Sequence, residues 1–344
     1  MDKPLSRNPT RADVAREAGT SVAVVSYVVN NGPRPVAPAT RQRVLAAIEK
    51  TGYRPNNVAR ALASGTTKTY GLVVPDISNV FLASLAHALQ REALANDMVM
   101  LLGDSGDSRQ RELQLLNTLL SQQVDGLIYI SVDRHPHIEL LQASGTPFVM
   151  LDRVDPSPGL SVLRVDEREA SRQVTAHLLS HGYQQVGIVT GPLEMINAQE
   201  RLRGWRDALA EAGLAEQPQW QYTAPYTREG GYQAAEQMLQ GATRPRALFT
   251  SNEAQAMGMI RALADRGLRV PDDLALVCFN GTGLSACHIP SLTTVRQPVQ
   301  EMAKAAISML RGWKGKPTLR EFSHRLEIGE SCGCQAAGRN DNNK

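Results

Sequence analysis

Seven short runs of apolar residues, at 71–74, 98–102, 126–130, 148–151, 186–189, 247–250 and 274–279, are separated by stretches with helical periodicity. Runs this continuous predict strands buried on both faces, and hence parallel sheet covered by helices. A Pro/Gly-rich stretch at 155–159 interrupts the series after the fourth run, and the pattern then restarts. The body therefore divides into two similar α/β lobes. Ligands of open α/β sheets bind outside the carboxyl ends of the strands, which places the candidate site in a cleft between the lobes.

The first 55 residues follow a different pattern. Thr10 and Asp13 can close a capping box ahead of Val14, Ala15 and Ala18, and Gly19 can end that helix in the left-handed conformation. Ser21 offers a second cap before a valine-rich stretch that could form a strand by propensity, but the caps decide for a helix. Val25, Val28 and Val29 then share a buried face, leaving Val22, Ala23, Ser26 and Tyr27 on the other. Thr40 can cap a third helix in which Val44, Leu45 and Ile48 recur at helical spacing, stopped by Gly52. Two helices joined by a three-residue turn, with a third behind them, form the helix-turn-helix pattern, whose second helix enters the DNA major groove. The alternative is that the same three helices form a small cap serving the larger domain.

Charge favours the first reading. Residues 1 to 69 carry 11 Lys and Arg against 4 acids, whereas the remainder carries 26 against 30. A basic head on a mildly acidic body suits a polyanionic partner. Four cysteines in 344 residues are too few for a disulfide scaffold. No apolar run approaches the roughly 18 residues a membrane span needs, and Met1 to Arg7 has no apolar stretch behind its charges. The expectation is a cytoplasmic protein with no membrane partner.

No nucleotide-binding glycine loop, Walker motif, nucleophile elbow or zincin motif is present, so an enzyme is not expected. Asp104-Ser105-Gly106 at a strand end reads as a plain loop. Cys332-Gly333-Cys334 could be half of a metal site, but no second cysteine pair accompanies it. His135, His137, His177 and His181 are scattered on helical segments and read as surface or packing residues. No metal and no cofactor are therefore expected.

The run Asp13-Val14-Ala15-Arg16-Glu17-Ala18-Gly19, followed by Val25-Ser26, Val28-Val29-Asn30 and Gly52-Tyr53-Arg54-Pro55-Asn56, resembles the head of the lactose and galactose repressor family. The resemblance continues through Gly71-Leu72-Val73-Val74-Pro75-Asp76, Val124-Asp125-Gly126, Arg201-Leu202-Arg203-Gly204-Trp205 and Leu292-Thr293-Thr294-Val295-Arg296-Gln297. It implies an effector-responsive transcriptional regulator, most simply a repressor, acting as a homodimer on a palindromic operator. A solute-binding protein of a sugar transport system would share the body but not the basic head. The implied fold is α/β: a three-helix helix-turn-helix head (1–55), a hinge (56–69), and a two-lobed body (70–344) of parallel sheets like the periplasmic sugar-binding proteins. Lobe 1 is expected at about 70–160 and 291–322, and lobe 2 at about 161–290 and 323–335.

By the same resemblance, Thr10, Ser21, Val22, Ala23, Ser26, Tyr27, Asn30 and Arg34 face DNA, with Tyr27 at a position often held by arginine. Residues 56–65 read as a helix capped by Asn56 and ended by Gly65, too short to persist without a partner. On composition alone this segment is a linker; the resemblance places Asn56, Ala59 and Arg60 on the operator and Leu62 as a minor-groove wedge. Phe81, Asp152, Arg153, Arg201, Tyr226, Asn252, Asn280 and Gln297 match effector-contacting positions. Asn280 stands where many members carry aspartate. With Arg153 and Arg201 in the same cleft, that loss of charge tilts the expected effector toward a sugar acid or sugar phosphate over a neutral sugar, with Asp152 and Glu253 opposing.

Overall fold

The computed structural model describes residues 8–30, 34–131, 135–151 and 160–334. The chain divides into two compact units, Met1–Thr67 and Lys68–Lys344.

The head contains α1 (Arg11–Ala18), α2 (Val22–Asn30), α3 (Pro38–Thr51) and a short α4 (Asn57–Ser64). Both halves of the capping box form at Thr10 and Asp13, and Gly19 takes a φ of 60° at the other end of α1. Thr10 thereby holds Asp13 below the usual carboxylate range, with Arg16 assisting. Val25 and Val28 are buried with Val14, Ala15, Ala18, Val44 and Ala47, and Val29 packs against them. The third helix starts three residues earlier than a cap at Thr40 predicts. Pro38 at its first position has no N–H to leave unsatisfied and a φ already suited to helix. Leu45, placed by spacing on the apolar stripe, is 49% exposed, because Ala47 takes its place against α1 and α2.

The body begins with β1 (Thr69–Val74), α5 (Val80–Ala95), β2 (Val99–Asp104), α6 (Arg109–Ser121), β3 (Gly126–Tyr129), α7 (Ile138–Ser144), β4 (Phe148–Leu151) and β5 (Val162–Val165). It continues with α8 (Glu167–Ser180), β6 (Val186–Thr190), α9 (Ile196–Glu211), β7 (Gln221–Thr223), α10 (Arg228–Gln240), β8 (Ala247–Thr250), α11 (Glu253–Asp265), β9 (Ala275–Phe279) and β10 (Thr293–Arg296). The last elements are α12 (Val299–Arg311), β11 (Leu319–Phe322) and β12 (Arg325–Glu327). One six-stranded sheet has the order β11-β5-β4-β3-β1-β2, and the other β12-β10-β9-β8-β6-β7. Every described pairing is parallel except β10 with β12. Each sheet is covered on both faces by apolar clusters, as the continuous strand runs require.

The crossings between lobes fall later than 160 and 290. Residues 162–165 pair with β4 and β11 in the first sheet, and residues 293–296 pair with β9 and β12 in the second. The chain changes lobe at Asp166, at Gln297–Pro298 and at Ser323–His324. The Pro/Gly-rich stretch at 155–159 lies outside the described residues; Val162–Val165 beyond it still belong to the first sheet, so the lobe boundary falls after them.

Candidate DNA-binding face and interlobe site

On α2 the face opposite the core is formed as expected from spacing. Val22 is 46% exposed, Ala23 is exposed, and Ser26 and Tyr27 are half-buried beside them. The Ser21 hydroxyl accepts from the Val24 amide at 3.3 Å, capping the helix, and Asn30 Nδ2 donates to Ser26 Oγ at 3.2 Å. These bonds pin three polar side chains, Ser21, Ser26 and Asn30, and leave Val22, Ala23 and Tyr27 as adaptable surface. Thr10 is half-buried, and both its hydroxyl and its backbone N–H donate to Asp13 Oδ2, at 2.7 and 2.9 Å, so a phosphate oxygen would have to compete with that carboxylate for either donor. Arg34 and Asn56 are exposed and Arg60 is half-buried. The side chain of Ala59 lies outside the described residues. Leu62 on α4 is 82% exposed, a large apolar side chain with almost no cover from its own chain.

In the body, α8 and α9 pack side by side. Their approach depends on Gly204, where a β-carbon would stand 2.1 Å from the Arg168 carbonyl oxygen. This proximity brings Arg201 of α9 to Glu167, the first residue of α8. Arg201 is 1% exposed; its Nε and Nη2 both bond the Glu167 carboxylate, the latter at 3.0 Å. Nη1 donates to the Ser251 carbonyl, and the guanidinium carbon lies 4.1 Å from the Phe279 ring centroid and 5.6 Å from that of Tyr226.

Around this pair stand other polar groups from strand ends. Asn252 caps α11, accepting from the Gln255 amide at 2.8 Å while donating to the Tyr226 carbonyl at 2.9 Å. Tyr226 donates to Asn197 Oδ1 at 3.4 Å. Asn280 follows β9 with a φ of 58°, a conformation asparagine tolerates better than most residues, and its Oδ1 accepts from Gln297 Nε2 at 2.6 Å. Phe81, Arg201, Tyr226, Asn252 and Asn280 line one cavity with Asn79, Leu82 and Asn197. It measures about 20 Å³, room for roughly one water. A larger cavity of about 490 Å³ adjoins it, sharing Phe81 and lined by Gln297, Arg91, Arg296 and Thr282. Asp152 and Arg153 lie outside the described residues.

Two expectations are corrected here. Arg201 is not a cation awaiting a ligand anion, because Glu167 neutralises it. Nor does Glu253 offer a carboxylate to the cleft: Thr282 donates to its Oε2 at 2.8 Å through the hydroxyl, and Ser285 donates to Oε1. Glu167 escaped the sequence reading because two consecutive acids after an unrecognised strand look like an ordinary helix start. The loop reading at 104–106 agrees with the geometry, since Asp104 accepts from the Gly106 amide at 2.8 Å. Cys332, Cys334, His177 and His181, kept apart above, converge on one another. Among the described residues no helix is long and apolar enough to cross a membrane.

Residues 10–56 match the family model of bacterial regulatory proteins of the lacI family, and residues 175–332 match that of a periplasmic binding protein-like domain. Catabolite control protein A of Priestia megaterium is 37% identical over 330 residues, covering 94% of this chain and 99% of that protein. The ribose operon repressor of Escherichia coli K12 is 32% identical over 321 residues, covering 93% and 96%. A crystal structure of the lac repressor dimer bound to operator and the anti-inducer ONPF aligns with a TM-score of 0.83 at 27% identity, covering 95% and 99%.

Proposed function

We propose a residue-level reading for this chain, which belongs to the lacI family of bacterial regulatory proteins. It is an effector-responsive, DNA-binding transcriptional repressor of sugar-utilisation genes and not an enzyme. The solute-binding alternative gives no role to a basic helix-turn-helix head.

In our reading, Val22, Ala23 and Tyr27 approach base edges in the major groove, with Ser21, Ser26, Asn30, Arg34 and Thr10 around them. Small apolar side chains at 22 and 23 suit thymine methyl groups, and a phenol at 27 replaces bidentate guanine recognition with a single hydrogen bond. Leu62 is the wedge at the operator centre, flanked by Asn56, Ala59 and Arg60. Its 82% exposure is the supporting observation, since an uncovered leucine on a two-turn helix needs a partner surface. The homodimer is supported by β2, an edge strand on which Val99, Leu101 and Leu102 are exposed beside Leu94 of α5. An apolar sheet edge of this kind is otherwise an aggregation site.

The effector site in this reading is the interlobe cluster of Phe81, Arg201, Tyr226, Asn252, Asn280 and Gln297, together with Asp152 and Arg153. The observation that carries the ligand class is the Arg201–Glu167 pair. With the buried cation already compensated, what the described residues of the cluster leave for the ligand is amide and phenol groups and an aromatic wall, the chemistry of a neutral, hydroxyl-rich sugar, with Asp152 and Arg153 adding one charge of each sign. The 20 Å³ cavity implies that the lobes separate to admit it.

Full-length protein in gel shifts should bind a twofold-symmetric site with a steep salt dependence, and a cognate neutral sugar should change that affinity. Calorimetry showing tight binding of a sugar acid or phosphate, and none of the neutral sugar, would refute the ligand class. DNA binding that survives deletion of residues 1 to 65 would refute the role of the head.

A further inference from the structure

His177 lies on the last turn of α8, and His181 follows one turn later at the helix end. Cys332 and Cys334 belong to the segment after β12, about 155 residues away in sequence. The fold brings the four ligand atoms within 4.8 Å of one another. His177 Nε2 is 3.2 Å from Cys332 Sγ and 3.3 Å from His181 Nε2. Cys334 Sγ is 3.3 Å from His181 Nε2 and 3.8 Å from His177 Nε2.

These separations can be compared with a coordination polyhedron. For zinc bonds of about 2.3 Å to sulfur and 2.0–2.1 Å to nitrogen, tetrahedral angles set neighbouring ligand atoms roughly 3.3 Å apart for two nitrogens and about 3.5 Å for nitrogen and sulfur. The nitrogen–nitrogen edge observed here is 3.3 Å, three of the four nitrogen–sulfur edges, at 3.2, 3.3 and 3.8 Å, bracket the second figure, and no separation in the set exceeds 4.8 Å. Hydrogen bonding is a poor explanation for such a cluster. A neutral imidazole carries one N–H, a thiol is a weak donor and a weak acceptor, and two Nε2 atoms directed at each other compete for a single proton.

We propose that His177, His181, Cys332 and Cys334 form a Cys2His2 site for a zinc ion. Thiolate and imidazole ligands select a borderline-soft cation over magnesium or calcium, and four protein ligands close the tetrahedron, which makes the site structural. Binding releases the two thiol protons to solvent as the Zn–S bonds form. Thr293 Oγ1, 3.0 Å from Cys332 Sγ and buried, is placed as an outer-shell donor to that thiolate. The ion ties the C-terminal segment to α8, the helix that begins at Glu167 and carries the ion pair with Arg201. The signal in the sequence was a histidine pair four apart at a helix end together with a Cys-x-Cys, each half too weak alone.

The test uses untagged full-length protein, purified reduced, stripped with a chelator and then given Zn2+ or Co2+ alone. About one zinc per chain should survive gel filtration, and Co2+ should give the intense visible bands and thiolate charge-transfer absorption of a tetrahedral site. His181 is exposed and Cys334 half-buried, so His181→Ala and Cys334→Ser should fold, as circular dichroism can verify, yet retain at least about tenfold less metal. A wild-type chain that keeps no zinc, a weak octahedral cobalt spectrum, or folded variants that keep as much metal as wild type would each overturn the proposal. So would a Cys332–Cys334 disulfide found by mass spectrometry in the reduced, metal-exposed protein.

Discussion

Glu167→Gln isolates the feature on which the ligand class depends. The substitution keeps the shape of the side chain and one acceptor but removes the charge opposite Arg201, a guanidinium that is 1% exposed and cannot lose its proton. Breaking a buried pair by removing one partner costs about 3–5 kcal/mol. Gln retains an acceptor, and the Ser251 carbonyl and the Phe279 face stay in place, so the lower end applies, about 3 kcal/mol. At about 2 °C per kcal/mol for a domain of this length, the midpoint of thermal unfolding should fall by roughly 6 °C. Removing both charges, as Glu167→Leu with Arg201→Met, leaves no uncompensated ion, so the double variant should be more stable than Glu167→Gln. The single variant should also gain what the wild type lacks: stabilisation by a sugar acid or phosphate that supplies the missing negative charge. An unchanged midpoint in Glu167→Gln, or a wild-type response to such anions equal to that of the variant, would refute the argument that the cleft is already neutral.

The other predictions rest on separate parts of the molecule. Gly204→Ala places a methyl 2.1 Å from the Arg168 carbonyl, so α8 and α9 must move apart; this overpacking should cost about 1–3 kcal/mol or more and weaken sugar binding in the same calorimetric titration. Leu62→Ala should reduce operator bending in a circular-permutation gel and weaken specific binding, while leaving nonspecific affinity nearly intact; undiminished bending would make α4 a linker only. Arg172, through its hydrogen bonds, holds Glu169 at about 2 against the opposing effect of burial. That contribution is present above the ordinary glutamate value of 4.5 and is lost as pH falls toward 2, so Arg172→Ala should flatten the acid limb of a stability-versus-pH curve in this window.

The continuous apolar runs announced seven strands: six are central parallel strands buried on both faces, with no alternation to obscure them, whereas β2 is an edge strand whose apolar side chains are largely exposed. The five strands without such runs were illegible for physical reasons. β7 and β12 are three residues long, and β11 is an edge strand with only Phe322 buried. β10 lies inside the second sheet yet reads Thr-Thr-Val-Arg; its threonines enter the core because their hydroxyls find partners, Thr294 donating to the Cys278 carbonyl at 3.0 Å. β5 carries Arg164, which reaches Glu321 of β11 at 3.0 Å. Missing β5 and β10 displaced both lobe boundaries and hid Glu167. The caps of α1 and α2 were legible to the residue because each is a local bond between side chain and backbone. The partner of Arg201, 34 positions away, and the meeting of His177 with Cys332 follow only from tertiary packing.

The corrected crossings also show how a ligand in the cleft could reach the rest of the body. At the first crossing β5 ends at Val165, and two residues later Glu167 grips Arg201 of the second lobe. At the second crossing β10 ends at Arg296, and the next residue, Gln297, bonds Asn280 at 2.6 Å before α12 returns to the first lobe. Two of the three hinge strands thus end in a side chain bonded directly to a residue lining the interlobe cavity. A hinge absorbs a lobe rotation in a few φ/ψ angles at element ends, so groups bonded there feel the rotation most. A sugar that takes a hydrogen bond from Asn280 or Gln297 competes with the bond between them and changes the hinge energy without a relay through the core. The coupling between effector and lobe angle is then set by one or two exchanged hydrogen bonds, about 1–3 kcal/mol, which is the range an allosteric regulator needs to change DNA affinity severalfold to about a hundredfold.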